Sequence, residues 1–70
     1  MHLYDTKRGE DATRFCIESL KLDATQLDLS AVDRVEIFGT DIDDPGDDYC
    51  EFRVIDSKEK VIAVRRELGY

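Results

Sequence analysis

Two runs in this chain, RVEIF (residues 34 to 38) and YCEFRVI (49 to 55), alternate apolar and polar residues, and a third, VIAVRR (61 to 66), is rich in β-branched residues. Period-two alternation is the mark of a pleated strand with one face buried. In the first run Val35 and Ile37 oppose Arg34 and Glu36; in the second Cys50, Phe52 and Val54 oppose Tyr49, Glu51 and Arg53. The third offers two pairs to a core, Ile62 with Val64 or Val61 with Ala63. Between the last two runs lies DSKEK, whose Asp and Ser side chains bond their own backbone in turns, so a hairpin is expected there.

Ahead of these runs the period changes. In DATRFCIESLKL (11 to 22), Ala12, Phe15, Cys16, Ser19 and Leu20 recur at the i, i+3, i+4 spacing of a helix face. Asp11 is the expected N-cap, and Arg14 and Glu18 fall at i,i+4 on the wet side. Asp23 with Gln26 resembles a capping box, which predicts one helical turn before Leu27 and Leu29 point inward. The chain is therefore expected to be α+β, one helix packed on a three-stranded antiparallel sheet in the order α-β-β-β. The expected core is Phe15, Cys16, Leu20, Val35, Ile37, Phe52, Val54, Ile62 and Val64.

The 70 residues show no repeat or linker and read as a single small domain. A chain this short buries only about 60% of its unfolded surface, which leaves few side chains for an enclosed active site. No apolar run reaches the roughly 18 residues that span a bilayer. MHLYDTKRGED lacks the apolar core of a signal peptide, so a cytoplasmic location with Cys16 and Cys50 as reduced thiols is expected.

Charge is the feature that points outward. The net charge is −7, and residues 36 to 56 alone hold eight acids and one base. Six of the acids, Asp41, Asp43, Asp44, Asp47, Asp48 and Glu51, crowd into FGTDIDDPGDDYCE. Asp41, Asp43 and Gly46 match positions 1, 3 and 6 of an EF-hand calcium loop, but Pro45 stands at position 5 and Phe52 at position 12. A loop joining two strands also lacks the flanking helices, which leaves at most a weak divalent site. Pro45-Gly46 flanked by aspartates equally describes a type II turn, although a turn does not require so many repelling carboxylates. The third reading is a phosphate surrogate, a row of carboxylates offered to a basic cleft that ordinarily binds a nucleic-acid backbone.

Other chemistries find little support. His2 is the single histidine, the four glycines are scattered, and neither cysteine sits in a thiolate-like environment. No catalytic residue, cofactor or metal-ligand set is expected. Lys58, Lys60, Arg65 and Arg66 make a modest basic end, too small against −7 for direct nucleic-acid binding. In physical type the chain resembles phage-encoded inhibitors of host nucleic-acid machinery, such as anti-CRISPR and anti-restriction proteins. The concentrated charge itself predicts a non-enzymatic protein that docks on a basic surface of a larger protein through Glu36, Asp41, Asp43, Asp44, Asp47, Asp48, Glu51 and Tyr49. The competing expectation is a homodimer built on the sheet edge or face, with Tyr49, Arg53 and Ile55 at its interface.

Overall fold

The computed structural model describes residues 2–39 and 49–68. The elements are β1 (His2–Arg8), α1 (Glu10–Glu18), a 3-10 turn (Leu29–Ala31), β2 (Val32–Gly39), β3 (Tyr49–Asp56) and β4 (Val61–Leu68). The strands form one sheet in the order β1-β2-β3-β4, and every neighbouring pair is antiparallel. The α+β class and the helix-on-sheet arrangement match expectation; the strand count does not, because four strands form rather than three.

The additional strand, β1, has no apolar alternation to reveal it. His2, Leu3, Tyr4 and Asp5 are all exposed, and backbone pairing to β2 holds the strand, from His2 opposite Gly39 to Arg8 opposite Arg34. A bulge separates Leu3 from Asp5 in this ladder. It brings the Tyr4 ring over Gly39, where a Cβ on the glycine would collide with the ring. An aromatic ring covering a sheet glycine restores packing that the missing side chain cannot provide.

The helix is shorter than the expected 11 to 22, and Gly9 rather than Asp11 is its N-cap. Gly9 sits at φ 61, ψ −133, a backbone region essentially closed to other residues, so it turns the chain sharply from β1 into α1. At the other end the Ser19 and Leu20 amides both donate to the Phe15 carbonyl, and Lys21 takes the left-handed conformation at φ 55. The expected turn at Asp23 is present: the Asp23 amide donates to Gln26 Oε1 at 2.9 Å, and the Gln26 and Leu27 amides donate to the Asp23 carbonyl. Leu27 is thereby delivered to the core.

Ala12, Cys16 and Leu20 from the helix side meet Val35 and Val54, which are cross-strand partners at the centre of the sheet. Phe15 and Phe52 close one flank with ring centroids 5.6 Å apart at a tilt of 44°. In β4 the alternatives read from sequence are split. The ladder shifts between Ile55–Val61 and Val54–Ala63, so Ile62 is a bulge residue, and Ile62 and Ala63 both pack against the core. Val64, expected inside, is instead 53% exposed, because the bulge reverses the facing of every later residue in the strand.

Two truncations test this partition by chemical denaturation. Leu20→Ala should lower the unfolding free energy by about 2–5 kcal/mol, and Val64→Ala by less than about 1 kcal/mol. Equal losses at the two positions would contradict the placement of Val64.

Candidate functional site

Of the residues expected to contact a partner, Asp41, Asp43, Asp44, Asp47 and Asp48 lie outside the described residues. The strands on either side of them pair with each other. Gly39 at the end of β2 pairs with Cys50 of β3, and Tyr49 pairs with Leu68 of β4. Both ends of the acidic segment thus leave from the same end of the central β2–β3 hairpin. Tyr49 is half-buried at this end.

Glu36 and Glu51 are on the sheet face opposite α1. Glu36 is half-buried, 3.9 Å from Arg34 Nη2. Glu51 is only 1% exposed. This corrects its expected place among the outward carboxylates: it sits in the sheet face with both oxygens engaged. Arg53 donates from Nε to Glu51 Oε2, and Arg66 donates from Nε to Glu51 Oε1 at 2.6 Å. Arg53 is two residues along the same strand, and Arg66 is the cross-strand partner of Glu51. The Arg53 guanidinium also lies over Phe38, 4.4 Å from the ring centroid. The hydrogen bonds from Arg53 and then Arg66 hold the Glu51 carboxyl below the usual carboxylate range, against the opposing effect of its burial.

Around this centre the outer face alternates aliphatic and charged groups. Leu3 pairs with Phe38, Glu36 with Arg53, Arg53 with Val64, and Arg34 with Ile55. Ile55 is 4% exposed although no helix among the described residues lies over it. Leu3 and Val64 are about half exposed at the two flanks. At the far end Arg34 forks onto Glu59, Nη1 to Oε1 at 3.3 Å and Nη2 to Oε2 at 2.7 Å. The Asp56 carboxylate accepts the Lys58 and Lys60 amides, both at 2.9 Å, and closes the β3–β4 turn as the DSKEK composition predicts.

Three other features bear on chemistry. Cys16 and Cys50 are buried thiols not joined in a disulfide, and burial pushes the Cys16 thiol up, away from the thiolate form. Among the described residues no group of three or more His, Cys, Asp or Glu side chains is placed to hold a metal ion, and no helix is long and apolar enough to cross a membrane. An open groove of about 590 Å³ runs between α1 and the start of β2, with Thr13, Ile17, Leu29 and Val32 among its lining. No family model matches this chain, and no curated protein and no solved structure matches it significantly.

The arginine pair that sequence reasoning left out of the site, Arg53 and Arg66, is the best-organised charged group described. A lowered carboxyl pKa in the folded state contributes stability above the unfolded value, and that contribution is lost as pH falls through the folded value. Unfolding free energy should therefore decline as the solution is acidified below the ordinary glutamate value of about 4.3. Glu51→Gln should lose about 1.5–3 kcal/mol at neutral pH and show a shallower acid decline, with the remainder carried by carboxylates such as Asp56 and Glu59. Parallel wild-type and variant curves would show that Glu51 does not titrate differently on folding.

Proposed function

We propose that this protein is a non-enzymatic, cytoplasmic binding module. Its acidic segment docks on a basic, nucleic-acid-binding surface of a larger protein and blocks it, in the manner of anti-CRISPR and anti-restriction inhibitors. The observation that carries this reading is the eight acids against one base in residues 36 to 56. The geometry of the flanks sharpens it. Glu51 is neutralised by Arg53 and Arg66, Glu36 faces Arg34, and Asp56 is spent on a turn. The role of phosphate surrogate then falls to Asp41, Asp43, Asp44, Asp47 and Asp48, tethered at one end of a rigid hairpin. Steering by such a charge speeds association with a cationic cleft and is screened beyond about 8 Å at physiological ionic strength.

A second reading, a homodimer through the outer face, is favoured by the exposure of Leu3, Val61 and Val64. Both sheet edges carry bulges and charged side chains, devices that oppose edge-to-edge pairing, so the face is the surface for such a dimer. Sedimentation as a monomer at micromolar concentration would remove this reading.

The decisive variant replaces Asp43, Asp44, Asp47 and Asp48 by Asn, which keeps size and turn propensity while deleting four charges. A partner captured with the wild-type chain should lose its nucleic-acid binding when the wild-type chain is added and keep it when the Asn variant is added. The wild-type on-rate should fall steeply with salt. Equal inhibition by the two chains, with the same salt dependence, would overturn the role given to the aspartates.

A further inference from the structure

The outer face holds a centre of the opposite sign to the acidic segment, and it has the build of a site. We infer that Arg53 and Arg66, set side by side by the buried Glu51, bind a carboxylate that carries an apolar body. The inference rests on the described sheet face alone and stands whether or not the acidic segment acts as proposed above.

Two guanidiniums share one carboxylate here, which leaves one positive charge in excess. Each arginine meets Glu51 through Nε, a bond that does not use the end-on edge formed by its two Nη groups. The hydrogen bonds that tie the two arginines to Glu51 are both made from Nε. A guanidinium has five N–H donors in a planar fork, and a carboxylate accepts two of them side by side. Arg53 is fixed twice, by Glu51 and by the Phe38 ring, so little conformational freedom remains to be lost on binding. The pair is also reachable, with side-chain exposures of 37% for Arg53 and 70% for Arg66.

The surroundings select the ligand. Val64, opposite Arg53, is an exposed apolar group beside the arginines, and Leu3 extends the apolar surface beyond Phe38. Glu36, the cross-strand partner of Arg53, lies 3.9 Å from Arg34 Nη2, which Glu59 also holds, so the site tolerates a single added negative charge better than two. A net charge of −7 penalises each negative charge a ligand brings, which favours a monoanionic carboxylate over a dianionic phosphate. The source is either a free organic acid or an acidic side chain between apolar residues of a peptide.

The Nε–Hε resonances of Arg53 and Arg66 report on the site directly in the full chain. Titration with benzoate should shift both saturably with a single dissociation constant, while sodium chloride at matched ionic strength should not. A capped Leu-Glu-Leu peptide run in parallel separates the sources: tighter binding than benzoate assigns a protein segment, weaker binding a free acid. Arg66→Lys, which keeps a positive charge beside Glu51 and is checked for an unchanged far-UV spectrum, should weaken binding about tenfold or more, because an ammonium lacks the bidentate fork. Glu51→Gln should weaken it too with the far-UV spectrum unchanged, as expected of a positioning residue. Shifts that track chloride equally, inorganic phosphate binding tighter than benzoate, or full affinity in Arg66→Lys would each overturn the assignment.

Discussion

A carboxylate that is 1% exposed must be neutralised where it stands, and the outer face is organised around doing so for Glu51. Taking one charge out of water costs several kcal/mol unless partners replace the lost hydration. Arg53 comes from the same strand and Arg66 from the neighbouring one, so the β3–β4 register and the ion triad require each other. One helix is not enough to cover both faces of a four-stranded sheet. Arg34 and Arg53, with side chains largely covered, pack on the second face, with the Arg53 head over Phe38, as amphipathic side chains do when their heads have partners. On this view the buried acid is what allows long basic side chains to serve as a covering layer.

The inner face is simpler and depends on small size at the contact. Ala12 and Cys16 are both fully buried, as is Val35 beneath them, and the short side chains of Ala12 and Cys16 let α1 approach the sheet closely. Gly9 makes the approach possible by turning the chain from β1 into the helix with no intervening loop. The two faces together have a functional consequence. Among the described residues the fold pairs Glu51 with Arg53 and Arg66 and Glu59 with Arg34, and spends Asp56 on a turn. A sequence of net charge −7 thus sets two arginines around one buried acid on the outer face.

How much of this is legible in the sequence depends on the kind of force involved. The helix segment, β2, β3 and the β3–β4 hairpin follow from side-chain period, because burial imposes that period. β1 does not, since its backbone bonds to β2 leave no mark in HLYDTKR. The facing of β4 is obscured by a single bulge at Ile62. Without it Glu51 would stand opposite Arg65, and with it the partner is Arg66. Composition places Glu51 in an acidic run, because charge counts carry no information on burial. The alternation that sets Glu51 and Arg53 on one face of YCEFRVI, with two arginines in the next strand, was the available signal.

The most direct test of this account is the ionisation of Glu51 itself, followed through its side-chain carboxyl carbon in a ¹³C-labelled sample as pH is lowered. The account predicts that this carboxyl stays ionised past the ordinary glutamate value of about 4.3, and that the Arg53 and Arg66 Nε–Hε resonances move with it when it finally protonates. A Glu51 carboxyl that titrates at or above that value, with the two arginines unaffected, would contradict it.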